Sequence, residues 1–177
     1  MPSGRTHDAI TLLLAVPTFA VAWGVSASVV IAITATGAML FGGLMFGPDL
    51  DINSRQYTRW GVFRFLWLPY RALFRHRSRW SHGIIFGTLI RVIYFATVLL
   101  IIACASVYLR ALFIADGGPP DWREVTRAWQ IIGANITAYG VDKKTVWALL
   151  IGLWWGAASH TLTDVIWSIL RKSSEIF

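Results

Sequence analysis

Residues 9–47 contain no charged side chain. A bilayer-crossing helix needs about 20 apolar residues, so this run is too long for one crossing. It divides naturally at "WGVSAS", Trp23 to Ser28, into a helical hairpin, with Pro17 expected to kink the first helix. Two more apolar stretches follow at residues 84–114 and 145–170. Hydrophobic residues make up 56% of the chain and charged ones 14%, with a mean hydropathy of +0.58; soluble domains carry about 25% charge. The expected fold is all-α: a polytopic helical membrane bundle of about four transmembrane helices, in a single integral membrane domain covering 1–177. The spans are placed at about 9–24, 27–47, 84–114 and 145–170, with a cytoplasmic basic loop at 48–83.

Two segments between the spans carry a different pattern. Residues 58–74, "TRWGVFRFLWLPYRALF", mix aromatics with arginines and read as an interfacial amphipathic helix broken or kinked at Pro69. Residues 123–139 read as a second surface helix, preceded by a turn at "DGGPPD", Asp116 to Asp121. Gly43/Gly47, Gly83/Gly87 and Gly152/Gly156 are small-xxx-small pairs that let helices approach closely. Arg5, the first apolar run and "VSASV" also resemble a signal peptide, but the apolar character continues past them without a break.

The net charge of +7 is placed asymmetrically. Seven arginines fall between Arg55 and Arg79, and no acid occurs between Asp51 and Asp116. With four spans, the side holding both termini and residues 48–83 carries eleven cations against five acids; the other carries five against four. The positive-inside rule makes the first side cytoplasmic. Trp60, Trp67, Trp80 and Trp167 then fall at the cytoplasmic interface, and Trp23, Trp122, Trp129 and Trp147 at the opposite one. The same charge distribution argues for anionic lipid headgroups at the basic loop as partners, and against nucleic acid. The single cysteine, Cys104, excludes an internal disulfide and a cysteine metal cluster. Nothing in the sequence sets an oligomeric state.

All four histidines fall on the expected cytoplasmic side: His7, His76, His82 and His160. So do Asp8, beside His7; Asp49 and Asp51, in "GPDLD"; and Asp164, one helical turn beyond His160 and on its face. An ionisable pair within an apolar span marks a functional site. Four neutral nitrogen donors and four charged oxygen donors converging on one end of a bundle suit Zn²⁺, Mn²⁺ or Fe, as one or two divalent ions. The metal candidates are therefore His7, Asp8, Asp49, Asp51, His76, His82, His160 and Asp164. Ser81 and Ser159 could hydrogen-bond to ligands from behind. Arg75, Arg77 and Arg79 cannot ligate a cation but suit an anion, phosphate above all. The competing reading makes these residues helix caps and interfacial hydrogen-bonding groups.

The ordered motifs "MPSGRTHDAITL", "GGLMFGPDLDINSRQYTRWG", "LPYRALFRHRSRWSHG" and "GAASHTLTD" resemble the cyanobacterial-type DUF2227 family of uncharacterised metal-binding membrane proteins. A wider likeness is to inner-membrane metal-dependent hydrolases of the YdjM type. It implies His7, Asp49, Asp51, His76, His82, His160 and Asp164 as the site, in a bacterial inner (plasma) or thylakoid membrane. The function so implied is a metal-binding membrane protein acting as a metal-dependent hydrolase on a phosphoester or lipid-linked substrate at the cytoplasmic interface. A non-enzymatic metal-binding or assembly protein is the alternative. A metal transporter is disfavoured because the outer half of the bundle offers no ionisable path. A phosphatidic-acid-type phosphatase is disfavoured because "WWGAASH" lacks the Ser-Arg and "RWSHG" the Pro-Ser-Gly of that family.

Overall fold

The first apolar run breaks where Ala27 takes a left-handed backbone, φ 51°. In the computed structural model this separates helix α1, Gly4–Ser26, from α2, Val29–Leu44. Ser3 caps α1, its hydroxyl accepting from the Thr6 N–H, and Ser28 caps α2 by accepting from the Ile31 N–H. Helix α1 continues through Pro17. The structure describes residues 2–74, 78–115, 121–138 and 142–174. Every regular element among them is helical.

Five short elements follow α2: a 3-10 turn at Pro48–Asp51, α3 at Arg55–Thr58, a 3-10 helix at Gly61–Trp67, α4 at Leu68–Leu73 and α5 at Arg79–His82. Three longer helices complete the chain: α6, Phe86–Ile114; α7, Trp122–Ala138; and α8, Lys143–Ser174. By length and composition α1 and α6 could each cross a membrane, while α2 is apolar but shorter. The residues form two compact units, Met1–Val92 with Lys144–Phe177, and Ile93–Lys143.

In the first unit, α2 and α8 pack backbone to backbone. A β-carbon on Gly152 would collide with the Ala35 carbonyl, one on Gly156 with Met39, and one on Gly42 with Leu153. Only glycine permits this approach. Gly43 faces Thr11 of α1 and Gly156 of α8, so α1, α2 and α8 meet at one point. The Trp155 indole adds a hydrogen bond to the Thr18 hydroxyl, 3.1 Å. Of the expected glycine pairs, Gly152/Gly156 lines the α2–α8 contact; Gly43 joins it from α2, while Gly47 packs against the Gln56 side chain.

The segment expected to lie at the interface is only partly exposed. The segment divides beside Pro69: the 3-10 helix ends at Trp67, and Pro69 stands in the first turn of α4, where its missing N–H has no role. Val62, Phe63, Phe65, Leu68 and Leu73 face outward. Trp67, expected at the membrane interface, is fully buried. It contacts Phe46, Trp60 and Tyr70 edge to face, with centroids 5.2–5.7 Å apart. Such pairs add about 0.5–1.5 kcal/mol beyond area burial. They seat α4 and the 3-10 helix against the end of α2.

In the second unit the Asp121 carboxylate caps α7, accepting from the Arg123 N–H at 2.9 Å. Residues 116–120, most of the expected turn, lie outside the described residues.

Candidate metal centre

His160 and Asp164 sit one turn apart on α8, so both project from one face. The glycine contact with α2 places that face beside the first turn of α1, where His7 is buried. The His7 and His160 rings stack, centroids 3.7 Å apart and 11° from parallel. His7 Nε2 lies 3.2 Å from Asp164 Oδ1, and His160 Nε2 lies 3.9 Å from Asp164 Oδ2. One donor atom from each of His7, His160 and Asp164 falls within 4.8 Å of the other two.

The turn at Pro48–Asp51 extends this group. Asp49 directs Oδ2 at His160 Nε2, 3.3 Å, and Oδ1 at His82 Nε2, 3.4 Å. Burial pushes the Asp49 carboxyl up, but hydrogen bonds and charge from His160 and His82 outweigh it and hold it far below the usual carboxylate range. Asp51, two residues on, points inward: its side chain is fully buried, and Oδ2 lies 3.8 Å from His82 Nδ1.

These spacings fit a divalent ion. Two donors on one tetrahedral ion, each at about 2.1 Å, sit about 3.4 Å apart. Four Nε2-to-carboxylate separations of 3.2–3.9 Å cluster around that value. The donor set of imidazole and carboxylate suits a borderline or hard ion. Among the described residues His7 Nδ1 is buried with no hydrogen-bond partner.

Three residues that the sequence reading did not single out organise the site. Gln56 is buried, and its amide accepts from the Asp49 N–H through Oε1, 3.2 Å, while Nε2 donates to the Gly43 carbonyl, 2.8 Å. Those two backbone groups fix which end of the amide faces which way. Nε2 therefore also donates to His160 Nδ1, 3.2 Å, and the neutral ring carries its own proton on Nε2, toward Asp49. Gly47 leaves room for this amide, since a β-carbon there would strike it. Arg91, 1% exposed, donates to the Thr88 hydroxyl at 3.1 Å and lies near the Tyr70 hydroxyl. Asp51 and Asp49 lie close enough to stabilise its charge. Burial pushes the Tyr70 hydroxyl up against the opposing pull of Arg91. An arginine inside an apolar helix was a readable signal; nothing in the sequence marks Gln56.

Asp8 is placed elsewhere. Successive helical side chains point about 100° apart, so with His7 turned inward Asp8 turns away. Both its oxygens are held by Arg59, at 2.8 and 2.6 Å, and Arg55 adds a contact at 2.8 Å. Arg59 also donates to the Leu44 carbonyl, 2.8 Å, which ties α1 to the end of α2. Asp8, expected among the ligands, thus serves as a clamp. Ser159, expected behind a ligand, bonds the Gly156 carbonyl of its own helix. His76, Arg75 and Arg77 lie outside the described residues, as do the side chains of Arg79 and Ser81.

Comparison with known proteins agrees with the donor chemistry. Residues 2–174 match the family described as "Uncharacterized metal-binding protein (DUF2227)". Over 56 residues the chain is 38% identical to an uncharacterized protein of Aquifex aeolicus (strain VF5). That stretch is 31% of this chain and 39% of the relative, so the chain spans about two-fifths of the relative's length. No solved structure matches. With the family matched over nearly all its residues, the chain belongs to the DUF2227 family of uncharacterized metal-binding proteins.

Proposed function

We propose that this is a membrane-embedded metal-dependent hydrolase acting on a phosphoester or lipid-linked substrate. One observation carries the reading: imidazoles and carboxylates from α1, the Pro48 turn, α5 and α8 alternate at ion-compatible spacing, and the cluster grades from buried to open. The His160 side chain is 4% exposed and Asp49 27%. An enclosed donor set with one accessible edge is what a site that must admit substrate requires.

When bound, a divalent ion supplies Lewis acidity toward a phosphoryl or carbonyl oxygen and activates water. The chain's own groups do the rest. His7, His160 and Asp164 hold the enclosed side. Asp49 presents its carboxylate at the open edge. To hold an ion through Nε2, His160 would carry its ring proton on Nδ1, and Gln56 would present its oxygen there in place of its present bonds to Gly43 and Asp49.

Membrane embedding is supported by apolar side chains left outward on the long helices, such as Leu13 and Val16 of α1 at 75% and 76% exposure. In water each such side chain forgoes about 1.5–3 kcal/mol of burial; in lipid it does not. We read α1, α2, α6 and α8 as the four spans, in the bacterial inner (plasma) or thylakoid membrane. Both termini and the basic segment then face the cytoplasm beside anionic headgroups. The resemblance to YdjM-type hydrolases favours hydrolysis.

The test is metal content by mass spectrometry on detergent-purified protein, wild type beside His160→Ala, followed by a phosphoesterase screen of the loaded protein. Bound Zn, Mn or Fe that is lost in the variant, with turnover in the wild type, supports the reading. Metal without turnover on any phosphoester or lipid-linked substrate favours a purely structural metal joining α1 to α8. Absence of metal after reconstitution rejects both.

A further inference from the structure

We infer that the centre takes two divalent ions, bridged by Asp49, and that Asp51 is not a ligand but the residue that orients His82. The inference rests on the metal-binding part of the function proposed above.

The contacts form an alternating chain: His7, Asp164, His160, Asp49, His82. Each histidine in it faces a carboxylate through Nε2. The compact group of mutually close donors comprises His7, His160 and Asp164. His82 joins only through Asp49, whose two oxygens are directed at different histidines, Oδ2 at His160 and Oδ1 at His82. A carboxylate with one oxygen committed to each side is the arrangement that bridges two ions about 3.5–4 Å apart. The inner position takes His7, His160 and Asp164, with Asp49 Oδ2 approaching it beside His160. The outer takes His82 and Asp49 Oδ1 and leaves room for water or substrate.

Asp51 has a different geometry. Its Oδ2 lies 3.8 Å from His82 Nδ1, the ring nitrogen away from Asp49. A ligating histidine commonly donates its other N–H to a carboxylate, which sets the ring's direction and raises its basicity. Asp51 fits that role: its side chain is fully buried on that side of His82, with the buried Arg91 close enough to stabilise its charge.

Charge points the same way. Asp49, Asp51 and Asp164 against Arg91 leave a formal excess of two negative charges. One divalent ion neutralises this, and a second leaves the cluster cationic, as an anionic phosphoester requires. Asp49, the bridging carboxylate, is the most exposed of these donors, its side chain 27% exposed against 16% for His82 and 4% for His160.

The experiment uses the full chain in detergent, titrated with Mn²⁺ and followed by metal analysis and electron paramagnetic resonance. We expect two Mn²⁺ per wild-type chain with an exchange-coupled signal, one per chain in His82→Ala, and loss of coupling in Asp49→Asn. The isosteric Asp51→Asn should still bind two at saturation, with the outer one weakened about 10- to 100-fold. It remains informative if His82→Ala fails to fold. One uncoupled Mn²⁺ in both wild type and His82→Ala would overturn the two-ion inference while leaving a single-ion centre. Loss of one equivalent at saturation in Asp51→Asn would make Asp51 a ligand and overturn its assigned role. No Mn²⁺ in the wild type would overturn the metal-binding reading itself.

Discussion

His7 and His160 come from opposite ends of the chain, yet their rings stack 3.7 Å apart and 11° from parallel. The stack brings two nitrogen donors to the same side of one interface, and it is also a packing contact. The two roles can be separated. His7→Phe keeps an aromatic ring on His160 and removes the donor. We expect the melting temperature to stay within a few degrees of wild type and metal affinity to fall at least tenfold. A variant that keeps full metal content would show that His7 only packs.

The α2–α8 contact positions two of the donors, His160 and Asp164. Gly156→Ala would force a methyl group against the Met39 backbone, which cannot give way as a flexible side chain can. Overpacking of this kind costs about 1–3 kcal/mol. Because the same contact carries His160 and Asp164 to α1, thermal unfolding and metal content should fall together. Gly133→Ala, with open space around it, is the control and should change neither.

Arg91 is buried beside Asp51 and Asp49. Arg91→Met leaves a buried carboxylate without its counter-charge, which costs about 3–5 kcal/mol. Arg91→Met combined with Asp51→Asn should recover part of that loss, because the uncompensated charge is gone. Denaturation of the two singles and the double measures the coupling. Simple additivity would show that Arg91 and Asp51 do not act on each other.

Asp49 gives the metal-free protein a pH dependence of definite sign. Its folded-state pKa lies below the ordinary 3.8. The stability it contributes is therefore fully present above about pH 4 and drains away as pH falls below that value toward the lower folded one. The stability difference between wild type and Asp49→Asn should be constant from about pH 5 to 6 and shrink below pH 4. A difference that grows on acidification would mean that the histidine contacts do not hold the carboxylate ionised.

Helices α1, α2, α6 and α8 follow the apolar stretches read from the sequence, because a helix satisfies the backbone groups of a long apolar run within the run itself; α1 and α6 are long and apolar enough to cross a membrane. The His160/Asp164 pair was legible for a similar reason: four residues on a helix is one turn, whatever surrounds it. Gln56 was not. A glutamine in a short helix carries no periodicity or motif, and its role exists only because Gly43, Asp49 and His160 meet around it. Trp67 misled for the converse reason. A tryptophan among arginines reads as interfacial, and only the packing of Phe46, Trp60 and Tyr70 shows that this one is enclosed.

The sequence by itself determined the helical class, the asymmetric charge and the chemical kinds of donor available, because each follows from composition and from spacing along a single element. The tertiary structure decided which donors meet. His7 and Asp8 are neighbours in the chain, but one turns into the cluster and the other into the Arg55 and Arg59 clamp. Asp49 and Asp51 share one turn, yet one faces two imidazoles through Nε2 and the other lies at the far side of His82. A helix or turn fixes the angle between adjacent side chains; only the helices packed around it determine which direction is inward.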